Sequence, residues 1–106
     1  MKTAKKSISF NELIRSDTPV LVDFYASWCG PCKMLAPVLS QLASRQKNSL
    51  KVVKVDVDKN PGAAQALKVR GVPTLILFSK GKQLWRQSGY MSLSQLEAQL
   101  AAHLEN

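Results

Sequence analysis

The sequence predicts a three-layer α/β domain built on a mixed sheet, and three observations carry that prediction. Two nearly unbroken apolar runs, Val20–Tyr25 and Thr74–Phe78, read as strands covered on both faces. Met34–Leu42 and Leu93–Leu104 place apolar residues at helical spacing instead. Strands separated by helices imply parallel pairing, and a turn at Ser79-Lys80-Gly81-Lys82 adds an antiparallel hairpin at the end. One domain over residues 1–106 is expected, long enough to hold one core without staples.

In chain order, Ser7–Phe10 alternates polar and apolar residues and is expected as a short edge strand. Asn11–Arg15 reads as a short helix, with Leu13 and Ile14 inward and Asp17-Thr18-Pro19 as its stop. After the Val20–Tyr25 strand, Ala26-Ser27 turns the chain into Trp28-Cys29-Gly30-Pro31-Cys32. A helix begins at Pro31, which suits a first turn because it lacks an N–H to leave unpaired. Met34, Leu35, Val38, Leu39 and Leu42 continue it, and Pro37 inside it should kink the axis.

Ser49–Val57 is the next strand. Asn60 is the expected N-cap and Pro61 the first residue of a short helix to Leu67. Arg70–Pro73 forms a loop, Thr74–Phe78 a buried strand and Gln83–Ser88 an edge strand. Ser92-Leu93-Ser94-Gln95 has the pattern of a capping box. It opens a last helix with Leu93, Leu96, Leu100 and Leu104 on one face.

Composition narrows the function. Fifteen Lys and Arg against seven Asp and Glu give a formal charge of +8. The basic residues are scattered, as on solvated faces; the sharper consequence is attraction to acidic partners or salt-sensitive adhesion to nucleic acid. No basic stripe interleaves with aromatics, so no nucleic-acid function is expected. The basic start, Met1–Lys6, is not followed by the apolar stretch of a signal peptide. No run approaches the ~18 apolar residues of a membrane span. The chain therefore reads as cytoplasmic, with no membrane partner.

The two cysteines, Cys29 and Cys32, are too few for a disulfide scaffold. A lone C-x-x-C is ambiguous: half a zinc site, a redox pair, or two buried thiols. Zinc wants four ligands, and His103 is the only histidine, so no metal is expected. Gly30-Pro31 between the cysteines favours a strand-to-helix turn, and a helix N-terminus favours the thiolate. Redox exchange follows, with Cys29 as nucleophile, closer to the helix start and to solvent. Cys32, one turn in and more buried, is the resolving thiol. Asp23 is the odd residue of an apolar strand. It is either a satisfied structural or solvent-facing carboxylate, or a desolvated one with a raised pKa that can take a proton from Cys32.

Trp28-Cys29-Gly30-Pro31-Cys32 resembles the active-site pentapeptide of the thioredoxin family. Asp23, Pro37, Asp56, Pro61, Gly71-Val72-Pro73-Thr74, Gly81 and Gly89 fall in the family's register. The resemblance implies the thioredoxin fold, a central five-stranded mixed sheet flanked by four helices. It implies a general protein-disulfide reductase with no cofactor beyond the Cys29–Cys32 disulfide. Electrons would come from NADPH through a flavoprotein thioredoxin reductase; this chain has no G-x-G-x-x-G, so the nucleotide belongs to that partner.

By the same resemblance Asp23 is the base for Cys32, Lys54 modulates its pKa, and Val72–Pro73 is cis. Trp28, Gly30, Pro31, Val72, Pro73 and Gly89 line the surface for disulfide-containing substrate proteins. A monomer is expected. Three departures stand out: Tyr25 where the best-known members carry Trp, Ser88 where an apolar residue is usual, and the +8 charge. Two other classes remain open, a dedicated envelope thiol–disulfide oxidoreductase and a binding subunit that does not use its thiols.

Overall fold

The computed structural model describes residues 9–104. Its elements are α1 (Phe10–Ile14), β1 (Val20–Tyr25), α2 (Gly30–Arg45), β2 (Lys51–Asp56), α3 (Pro61–Ala66), β3 (Thr74–Ser79), β4 (Lys82–Ser88) and α4 (Leu93–Leu104). Among the described residues the sheet has four strands, in the order β2-β1-β3-β4, where five were expected. The expected first strand, Ser7–Phe10, lies half outside the described residues. Of its inner half, Phe10 is the first residue of α1 and the extended Ser9 caps that helix: the Ser9 Oγ accepts from the Glu12 amide and a Glu12 carboxylate oxygen accepts from the Ser9 amide, both at 3.1 Å.

Pairing also departs from expectation. β1 and β2 are parallel, but β3 runs antiparallel to β1 although a helix precedes it. α3 has only six residues, about 9 Å of helix, too short to carry the chain back along a strand of ~20 Å. The chain re-enters the sheet at the end where it left. Val69 to Pro73 therefore stays beside the ends of β1 and β2.

Strand alternation divides the core. Val20, Val22, Phe24, Ile76 and Phe78 face one side, against Phe10, Leu13 and Leu67 of the α1 and α3 segments. Leu21, Leu75 and Leu77 face the other, against Leu35, Leu39 and Leu42 of α2 and Leu96 and Leu100 of α4. With a period of two, Asp23 lies on Leu21's face, toward the helix that starts at the cysteines. α2 continues through Pro37, whose missing N–H leaves the Lys33 carbonyl without its helical partner.

The caps are mixed. The Ser92 amide and hydroxyl exchange hydrogen bonds with Gln95 (3.0 and 3.2 Å), as the sequence predicts. Asn60 stands at the N-cap of α3 but does not cap it. Its amide turns back and donates to the Asp56 carbonyl at 3.0 Å. Lys80 (φ 55°) and Gly81 (φ 83°) form the two-residue hairpin turn, both in the left-handed region that such turns require.

Candidate active site

The site lies at the end of the sheet where β1, β2 and β4 finish and β3 begins. Beyond β1, the Cys29 amide donates to the Ala26 carbonyl at 3.2 Å, closing the turn. Cys29 keeps an extended backbone (φ −88°, ψ 114°) and is the N-cap of α2. Its Sγ accepts from the Cys32 amide at 3.1 Å, doing with sulfur what a Ser or Asp oxygen does at other caps. The Cys32 amide and the positive helix end therefore act on one sulfur. Cys29 and Cys32 form a disulfide, with Cα atoms 5.3 Å apart. A Cβ on Gly30 would meet nothing within 4 Å, so the chain over the sulfurs is uncrowded.

The expected difference in burial is not found. Both cysteines are 4% exposed. Ala26, Cys29 and Cys32 form a small apolar cluster covered by Tyr25, Val57 and Val72, which shields both side chains alike. What separates them is position: Cys29 stands at the cap and receives the amide, while Cys32 gives it.

Asp23 is 1% exposed, and neither carboxylate oxygen has a hydrogen-bond partner. Burial pushes its pKa up from 3.8 to about 6, and the Lys54 ammonium pulls the other way. Lys54 is opposite Asp23 in the parallel β1–β2 register, its Nζ 3.8 Å from Oδ2. The same ammonium lies 4.7 Å from the centre of the Tyr25 ring. Asp23 makes no hydrogen bond to Cys32 while the disulfide is closed.

The loop before β3 lies against the sulfurs. Val72–Pro73 is cis, and the Val72 carbonyl is 3.7 Å from Cys29 Sγ. Pro73 is buried, its carbonyl accepting from the Gly89 amide at 2.9 Å. Gly89, at φ 95°, needs the freedom of glycine to make that turn. Trp28 is 68% exposed yet anchored, its indole N–H donating to Asp58 Oδ2 at 2.9 Å. An open groove of about 130 Å³ beside it is lined by Trp28, Val57, Val69, Arg70, Gly71 and Val72.

The structure thus gathers Trp28, Gly30, Pro31, Val72, Pro73 and Gly89 at the dithiol end, with Asp23 and Lys54 on β1 and β2 behind. Sequence reasoning missed Asp58, which holds Trp28, and gave Thr74 no role beyond its place in the family's register. Thr74 donates to the Gly71 carbonyl at 2.7 Å and shares a 2.9 Å hydrogen bond with Ser88. A hydroxyl directly after Pro73 was the available signal for Thr74; for Asp58, thirty residues from Trp28, there was none. Among the described residues no three His, Cys, Asp or Glu side chains gather as a metal-binding group. No helix there is long and apolar enough to cross a membrane.

Comparison with known proteins agrees with this geometry. The family model described as Thioredoxin matches residues 1–102. A thioredoxin of Alicyclobacillus acidocaldarius subsp. acidocaldarius is 45% identical over 97 residues, 92% of each chain. A bifunctional thioredoxin reductase/thioredoxin of Mycobacterium leprae is 52% identical over 80 residues, 76% of this chain and 18% of that one. Among solved structures, a mutant thioredoxin from Halobacterium salinarum NRC-1 superposes with a TM-score of 0.83 at 41% identity, covering 91% of this chain and 83% of that one.

Proposed function

The chain belongs to the thioredoxin family, and from that premise we propose how its residues divide the work of reducing protein disulfides. The chain is a protein-disulfide reductase, and the Cys29–Cys32 pair is its redox group. The observation that carries the division of labour is the cap: Cys29 Sγ takes the first-turn amide of Cys32 at 3.1 Å. In the reduced protein that amide and the helix end favour a thiolate on Cys29.

The Cys29 thiolate attacks one sulfur of a substrate cystine. A mixed disulfide forms, and the other substrate sulfur leaves as a thiolate and is protonated by solvent. Cys32 then loses its proton to the Asp23 carboxylate and attacks Cys29 Sγ. The Cys29–Cys32 bond forms, the mixed disulfide breaks, and the second substrate thiolate departs. Two electrons have passed to the substrate. With a pKa of about 6, Asp23 is mostly ionised at pH 7 and is close enough to neutrality to return the proton to water.

Val72 presents its backbone to an extended substrate segment; neither its amide nor its carbonyl is taken by a backbone hydrogen bond among the described residues. Trp28, Gly30, Pro31, Pro73 and Gly89 complete that surface, and Lys54 tunes Asp23. We assign recycling to an NADPH-dependent flavoprotein thioredoxin reductase, a pairing the name of the Mycobacterium leprae relative supports. The working form is a cytoplasmic monomer of one domain.

Trapping tests the order of attack. Cys32→Ser should accumulate a covalent adduct with insulin or another cystine protein, and Cys29→Ser should not. The reverse pattern would exchange the two roles. Insulin reduction driven by dithiothreitol measures the complete cycle.

A further inference from the structure

The reaction above leaves unused the cations around the dithiol. Four exposed basic residues sit on the segments that converge there: Lys33 in the first turn of α2, Lys59 after β2, and Lys68 and Arg70 before β3. None is in an ion pair among the described residues, whose pairs are Arg45–Glu97 and Lys54–Asp23. A fifth, Arg86, donates to the carbonyls of Leu67 and Lys68 at 2.7 and 2.8 Å and keeps its charge.

The anions at this end are turned onto the protein itself. Asp56 Oδ1 accepts from the amides of Asp58 and Lys59, at 2.8 and 3.3 Å. Asp58 Oδ2 holds the Trp28 indole. Five cations against these two carboxylates leave a net positive field for a partner approaching the cysteines, of the same sign as the chain's +8.

Arg70 gives that field a local address. It is the one charged residue lining the groove of about 130 Å³, which it shares with Trp28 and Val72. That volume equals about four waters, room for a single side chain. The Val72 carbonyl is 3.7 Å from Cys29 Sγ. A segment that paired with Val72 as an added strand would bring its cystine onto Cys29 and a nearby side chain to the groove.

We propose that this face selects protein disulfides flanked by acidic residues. Arg70 receives a carboxylate close in sequence to the attacked cystine, and Lys33, Lys59 and Lys68 supply longer-range attraction. The inference rests on the reductase reading and names its preferred substrate class.

The test compares two synthetic disulfide peptides, identical except for Glu or Lys on either side of one cysteine. The reduced full-length chain reduces each in stopped flow. Each rate is divided by that of the same peptide with dithiothreitol, which removes intrinsic reactivity. At low salt the Glu peptide should be reduced about 10-fold faster, and the ratio should fall toward one near ~0.5 M salt. Arg70→Glu should reverse the preference. Lys82→Glu makes the same change of net charge at the opposite end of β4 and should leave most of it. Equal normalised rates would overturn the acidic preference and leave the reductase standing; equal effects of Arg70→Glu and Lys82→Glu would overturn Arg70 and this face as its source. Reduction of neither peptide would remove the reductase reading and this inference with it.

Discussion

Asp23 and Thr74 sit one register step apart on the two central strands, on opposite faces of the sheet: Asp23 is opposite Leu75, and Thr74 opposite Phe24. Each is 1% exposed, and they are the two buried polar side chains of the described core. Thr74 is fully occupied, donating to the Gly71 carbonyl and bonded to the Ser88 hydroxyl. The Asp23 carboxylate has no hydrogen bond, only an ammonium 3.8 Å away. A satisfied polar group in a core fixes structure, and an unsatisfied one costs stability of order 1–3 kcal/mol or more when charged. The contrast teaches where this molecule keeps its reactivity. Thr74 holds the cis-proline loop in one place, while Asp23 is left able to change charge near neutral pH.

The largest effect should come from giving Asp23 a neutral side chain. Asp23→Asn removes the proton acceptor proposed for Cys32, so resolution of the mixed disulfide should slow about 100-fold near pH 7, with the first attack much less affected. Stability should move the opposite way. Between pH 3.8 and about 6 the folded protein holds a proton on Asp23 that the unfolded chain has released. Stability from this group is therefore full below 3.8 and is lost as pH rises through about 6. A difference of roughly two pKa units corresponds to about 3 kcal/mol. Urea titrations should show Asp23→Asn more stable than the parent by up to about that much at pH 8, and indistinguishable near pH 3. Equal stability at pH 8, with resolution unchanged, would make Asp23 as inert as Thr74.

Thr74→Val keeps the shape and removes the hydroxyl. It should cost about 1–3 kcal/mol at every pH from 4 to 8, because the Gly71 carbonyl and Ser88 lose their partner. The variant should bind substrates more weakly and still resolve mixed disulfides at close to the parent rate. A selective loss of resolution would place Thr74 in the chemistry and dissolve the contrast.

Sequence pattern made the covered strands, the dithiol at a helix start and the odd Asp23 legible. Each is a local signal, either an apolar run or a residue that breaks one. The pairing of β3 was not legible, because it depends on α3 being too short to return the chain to the far end of the sheet. Nor was Ser9 as a helix cap, although Glu12 three residues on was there to be read. Cys29 and Cys32 looked unequal in exposure because one precedes the other in the helix. Their equal burial comes from Val57 and Val72, which arrive from other segments. The same limit hid Asp58 under Trp28 and Ser88 beside Thr74. Contacts between distant segments decide such details, and nothing in the local spacing announces them.

A smaller effect tests whether the lone ammonium accounts for Asp23's intermediate state. Lys54 lowers the Asp23 pKa against the larger effect of burial. Lys54→Met should therefore raise it further and move the acid limb of the resolution rate to higher pH. At pH 6 the variant should resolve more slowly than the parent, and at pH 9 the two should converge. An acid limb that does not move would mean that burial alone sets the charge of Asp23.

The smallest effect concerns Ser88, an exposed residue whose hydroxyl reaches the buried one of Thr74 at 2.9 Å. The Thr74 proton points to the Gly71 carbonyl, so Ser88 is the donor between the two hydroxyls. That hydrogen bond should be worth about 0.5–1.5 kcal/mol, since water can replace part of it at the surface. Ser88→Ala should lose that amount alone and almost nothing in a Thr74→Val background, where no acceptor remains. A double-mutant cycle by urea denaturation measures the difference. Full additivity would show that Ser88 acts apart from the loop, and that Thr74 is satisfied by Gly71 alone.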